Sequence, residues 1–104
     1  MPQKQIAGVT VEVDANGYMT DLSKWNHDIA IALAKEVEIE TLTDKHYKVI
    51  EYLQKCQKEG ITLTIRKVGK SGIVDIKEFY ELFPGGPLKK ASYIAGIPKP
   101  ESCI

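Results

Sequence analysis

Two residues of this 104-residue chain carry thiols, Cys56 and Cys103, and their settings differ. Cys103 is the penultimate residue, in the run "IAGIPKPESCI". Pro98 and Pro100 lack a backbone donor, fix φ and push the residue before each of them out of the helical region. Residues 97–100 therefore cannot extend a helix, and the thiol is predicted to lie on an arm beyond the packed body. Cys103 is the seventh residue after Gly96. At roughly 3.1 Å per residue in a polyproline-like chain, the thiol reaches on the order of 20 Å from the last helix, enough to enter another protein's active site. A tail already confined to extended conformations also loses less entropy when a partner's channel grips it.

The chemistry open to such a thiol is nucleophilic attack as thiolate. The Ile104 carboxylate and Glu101 stand beside Cys103 and disfavour the anion, while Lys99 opposes them only weakly through water. Activation must come from a partner's basic pocket, or from the chain's own basic side when the arm folds back. The alternative is a frayed terminus whose cysteine is incidental. Cys56 shares a helical face with Val49, Tyr52 and Leu53, the setting of a small apolar core residue. His27 and His46 fall on separate predicted helices with no cysteine close in sequence, and read as surface or cap-proximal. No metal-spaced cluster, phosphate-binding glycine loop or nucleophile elbow is present, so neither a metal nor a cofactor is expected.

Formal charge is zero but uneven: residues 1–60 hold seven Lys against ten carboxylates, and residues 61–104 seven Lys or Arg against four. Arg66, Lys67, Lys70, Lys89, Lys90 and Lys99 belong to that basic part. An excess of three charges argues against strong nonspecific nucleic-acid binding, yet permits a local anion contact or an acidic partner surface.

The elements that must position these groups follow from local pattern. "VTVEVDANGYMT" alternates from Val9 to Val13, and Asn16-Gly17 supplies a tight hairpin turn. Asp21 and Ser23 offer cap oxygens to a helix in which Trp25, Ile29, Ala32, Leu33 and Val37 recur at helical spacing. A second helix starts at the cap Thr43, runs through Cys56 and stops at Gly60. "ITLTIRKVGKSG" fits a strand or a short helix, and helix is preferred. Asp75 caps a helix with the apolar stripe Ile76, Phe79, Tyr80 and Phe83, ended by Pro84. Pro87 opens the last helix and Gly96 follows it.

The predicted fold is mainly α (α+β): a small N-terminal β-hairpin, about five short helices in an orthogonal bundle, and a mobile C-terminal arm. One domain is expected over residues 1–95, with the arm over 96–104. No apolar run approaches a membrane span and the N-terminus has no signal-type pattern, so a cytoplasmic location is expected. Two dissimilar cysteines predict reduced thiols, and a cysteine second from the end does not fit a prenylation signal.

The run "ELFPGGPLKKASYIAGIPKPESCI" resembles the C-terminal signature of the DsrC/TusE family of sulfur-relay proteins, also described as the gamma subunit of dissimilatory sulfite reductase. The likeness extends through "DLSKWNHDIAIALAKEVEIETLTDKHYKVIEYL" and so covers most of the chain. It implies a helical fold with an N-terminal hairpin and a mobile arm. It also implies that Cys103 accepts sulfane sulfur as a persulfide and passes it on, as a sulfurtransferase in the broad sense. Arg66 and Lys70 resemble the family's basic positions, and with Lys99 are expected to bind substrate or partner. Family members of one type carry a second arm cysteine eleven residues earlier, and here that position is Ser92. A hydroxyl cannot do thiol exchange. The single-cysteine arm resembles the TusE branch and the single-cysteine proteins of sulfur oxidisers. The implied partners are a TusBCD- or DsrEFH-like donor complex and an acceptor, either the tRNA thiolase that makes 2-thiouridine or a sulfite reductase-like protein. Two other readings stand beside the carrier: a regulator or scaffold whose arm occupies a partner without carrying sulfur, and a helix-turn-helix nucleic-acid module.

Overall fold

The computed structural model describes residues 2–99, in which a β-hairpin leads through a 3₁₀ turn into five α-helices. Cys103 and the arm beyond Lys99 lie outside the described residues. Strands β1 (Gln3–Ile6) and β2 (Val9–Glu12) pair antiparallel, with Lys4 opposite Val11 and Ile6 opposite Val9. Their turn is Ala7-Gly8, both with positive φ (52° and 79°), the geometry that matches strand twist in a two-residue hairpin. The hairpin thus closes one turn upstream of the predicted Asn16-Gly17. That second turn does reverse the chain, but into a single bridge between Val13 and Met19. Asp14 Oδ1 accepts the backbone N–H of Asn16 and Tyr18 at 2.8 and 3.0 Å, beside backbone bonds from Asp14 N to Tyr18 O and from Thr20 N to Glu12 O.

Helix α1 (His27–Glu36) is capped by Asn26, whose side chain accepts from Ile29 N at 2.9 Å. Asp21, expected as that cap, instead caps the 3₁₀ turn Leu22–Lys24, and Trp25 lies between the two in extended conformation. Helix α2 (Asp44–Lys58) has the predicted Thr43 cap, made reciprocal by His46, and ends before Gly60 at φ 72°. The ambiguous stretch is helical: Thr64 accepts from Lys67 N at 3.0 Å and starts α3 (Ile65–Gly69). Asp75 caps α4 (Ile76–Leu82), accepting from Glu78 N at 2.8 Å.

The apolar stripe predicted for α4 splits. Phe79 and Phe83 are core residues in edge-to-face contact, whereas Ile76 and Tyr80 are 46% and 45% exposed. A Cβ at Gly69 would stand 2.5 Å from Ile76 Cγ1, so the bare α-carbon of Gly69 is what lets α4 lie close on α3. Helix α5 (Pro87–Ile94) opens on Pro87, as predicted, and packs against α1, α2 and α4. Its Leu88, Ala91 and Ile94 meet Ile29, Leu33, Ile50 and Leu53 in the single core cluster. No helix of the described residues is long and apolar enough to cross a membrane.

Candidate functional site

The arm begins at the C-terminal end of α5, where four carbonyls have no partner inside the helix. All four are satisfied here. Ile97 N donates to Ser92 O and Gly96 N to Tyr93 O, each at 3.3 Å, with Gly96 at φ 73°: a Schellman ending. Trp25 Nε1 donates to Ile94 O and Gln54 Nε2 to Ala95 O, each at 2.8 Å. Any Cβ at residue 96 would stand 2.6 Å from the Trp25 ring, so indole and glycine fit only as a pair. Ile97 is 1% exposed, which carries the packed chain two residues past Ala95, and Lys99 is exposed.

Pro98 and Lys99 line a cleft of about 300 Å³ with Gln57, Gly60, Ile61, Thr62 and Leu63. The next residue along the chain, Thr64, belongs to a second cleft of about 420 Å³, lined also by Tyr52, Arg66, Lys67 and Lys70. The structure therefore brings the predicted Arg66 and Lys70 together, adds Lys67, and places Lys99 at the neighbouring opening. Among the described residues, none of Arg66, Lys67 and Lys70 is in an ion pair. Burial, and after it a hydrogen bond with the Cys56 thiol, pushes the Tyr52 phenol above its usual value. Tyr52 thus stays neutral at physiological pH, and the cleft presents three cations with two hydroxyls. This arrangement suits an anion.

The remaining candidates are structural. Cys56 is 3% exposed, inside α2 and behind Tyr52, where it acts as a small apolar side chain. His46 is buried: Nδ1 accepts from Thr43 N at 3.1 Å, so Nε2 carries the hydrogen and donates to Leu82 O at 2.8 Å. That bond ties the start of α2 to the end of α4. His27 is exposed and stacks on Tyr47, with ring centroids 4.4 Å apart. Ser92 is wholly buried on the inner face of α5, and its hydroxyl has no hydrogen-bond partner among the described residues.

Sequence pattern alone passed over Trp25 and Gln54 as arm contacts and Tyr52 as a cleft residue. Tyr52 was within reach, because it precedes Cys56 by one helical turn. Gln54 had no such signal.

The family model described as "DsrC like protein" matches residues 5–104. The chain is 42% identical to the sulfurtransferase TusE of Photorhabdus laumondii, over 93% of this chain and 94% of that protein. It is 33% identical to the gamma subunit of dissimilatory-type sulfite reductase from Nitratidesulfovibrio vulgaris, over the whole of both. The crystal structure of dissimilatory sulfite reductase I (DsrI) superposes with a TM-score of 0.83 at 33% identity, covering 99% of this chain and 100% of that one.

Proposed function

The chain belongs to the DsrC-like protein family, and from that membership we propose that it relays sulfur, carried as a persulfide on Cys103. One observation carries the choice of residue. The family match runs through residue 104 and includes Cys103, while the other thiol, Cys56, is shut inside the core. Cys103 thiolate attacks the outer sulfur of a donor persulfide; a new S–S bond forms, the donor leaves as thiolate, and the proton stays on the transferred sulfur. An acceptor thiolate then attacks that outer sulfur and releases Cys103 as thiolate. Each attack brings an anion towards a sulfur that is itself readily ionised. Cations around the pair lower the repulsion.

Arg66 and Lys70, with Lys67, supply such cations on the chain itself, and Lys99 adds one at the arm root. They bind the terminal carboxylate or the persulfide when the arm folds back, and the partner's surface when it is extended. Ser92 leaves Cys103 without a thiol to close on at the second arm position, so the sulfur must leave to another protein. This favours a TusE-type relay. Sulfur comes from a TusBCD- or DsrEFH-like complex and goes to a tRNA thiolase or a sulfite reductase-like acceptor.

The experiment mixes persulfidated donor, this chain and an acceptor, and follows labelled sulfur into the acceptor. Cys103→Ser is expected to abolish the passage while Cys56→Ser retains it. Full passage through Cys103→Ser would leave the chain as a scaffold that brings donor and acceptor together.

A further inference from the structure

Every carbonyl at the end of α5 has a partner, and two of the four are held from outside the helix: Ile94 O by Trp25 and Ala95 O by Gln54. A Schellman ending needs neither contact, since its own two bonds close on Ser92 O and Tyr93 O. Ile94 and Ala95 are buried, so water is no partner for the other two. Instead an indole from the α1 entry loop and an amide from the middle of α2 converge on adjacent carbonyls. Their spacing also fixes residue 96, whose α-carbon lies against the indole. Ile97 is buried behind this double contact, so the chain is packed as far as Pro98, whose ring sets the next φ.

We propose that Trp25 and Gln54 are positioning residues, a clamp that fixes the direction in which the arm leaves the body. Over Pro98 and Lys99 the chain lies along Gln57 and Gly60–Leu63, and Thr64, next in sequence, opens the cleft of Arg66, Lys67 and Lys70. A thiol on an arm with a loose root samples a hemisphere of solvent. A root held through Ile97 starts the rest of the chain from one place, with Pro98 and Lys99 lining the opening next to the cations, so that a partner engaging the basic cleft also meets the start of the arm. The inference rests on the relay reading for its purpose, but the clamp has a signature of its own.

The test uses the full chain with Gln54→Met, which removes the donor and keeps the length of the side chain, and Gln54→Lys, which restores a donor. Two quantities are read: amide hydrogen exchange at Ile97, whose N–H is held by Ser92 O, and sulfur uptake by Cys103 from a persulfidated protein donor relative to glutathione persulfide. In Gln54→Met, exchange at Ile97 is expected to quicken roughly fivefold or more. The ratio of protein-donor to small-donor uptake is expected to fall about tenfold, with the small-donor rate unchanged. Gln54→Lys should recover both. The small-donor rate separates positioning from a merely damaged fold. Unchanged exchange at Ile97 overturns the clamp, and so does an unchanged uptake ratio. If wild-type Cys103 takes no sulfur even from glutathione persulfide, the relay reading fails, and the clamp is judged on Ile97 exchange alone.

Discussion

Ser92 brings a hydroxyl into the centre of the molecule and gives it nothing to bond with among the described residues. Burying a hydroxyl without a partner costs roughly 1–3 kcal/mol in proteins. Ser92→Ala is therefore expected to stabilise the fold by about 1 kcal/mol, raising Tm by roughly 4–8 °C in a domain of this size. A lower Tm would mean that the hydroxyl is satisfied in solution. Lys4, Glu36 and Tyr93 make the opposite kind of cluster. The ammonium donates to Glu36 Oε1 at 2.5 Å and to Tyr93 Oη at 2.6 Å, and Tyr93 donates to Glu36 at 2.8 Å. Burial pulls Lys4 down, but the bonds to Glu36 and Tyr93 outweigh it and raise its pKa above the usual 10.5. Burial, above all, raises Tyr93 above 10.0. Both folded values lie above the unfolded ones, so the stabilisation is complete at neutral pH and lost as pH rises through the folded values. The denaturant midpoint should hold from about pH 7 to 9 and fall beyond about pH 10. Lys4→Met should be less stable at about pH 8 and show a shallower alkaline fall. An equal fall in both proteins contradicts this account.

Elements were legible wherever their punctuation is local. Thr43 and Asp75 each accept a backbone N–H three residues on, and such a cap needs no knowledge of the rest of the fold; Thr64 does the same in the stretch whose pattern fitted strand or helix. Gly60, Pro87 and Gly96 mark their boundaries for the same reason. Three misreadings had near competitors. Asn26 stood five residues after Asp21 and took the cap of α1; Ala7 adopted a positive φ that alanine seldom accepts; and Ile76 found its partner in Gly69, leaving Phe79 and Phe83 to the core. The arm root was beyond reach because Trp25 and Gln54 bond carbonyls 69 and 41 residues away. Gly96→Ala tests this junction. A non-glycine residue at φ 73° costs about 1–3 kcal/mol, and the new methyl must also displace the indole that stands 2.6 Å away. The variant should lose at least about 2 kcal/mol and shift the emission of Trp25, the one tryptophan. A loss within about 0.5 kcal/mol would show that the root is not tightly packed.

At the scale of the whole molecule, the basic residues of the stretch 61–104 do not gather on one surface. Arg66, Lys67 and Lys70 share a cleft beside the arm root, while Lys89 and Lys90 line a separate cavity of about 190 Å³ with Tyr18, Glu36 and Tyr93. Charge by halves of the sequence was too coarse to separate them, because α5 runs through the centre and α3 lies outside it. The fold keeps the Cys56 thiol in the core and packs the chain through Ile97, and the relay reading gives the sulfur to Cys103, which lies outside the described residues. The measurement that bears most directly on this division is peptide-resolved mass spectrometry of the native protein after brief exposure to glutathione persulfide. The account predicts a gain of about 32 Da, one sulfur atom, on the peptide containing Cys103, with Cys56 unmodified. Sulfur on Cys56 while Cys103 stays bare would contradict it.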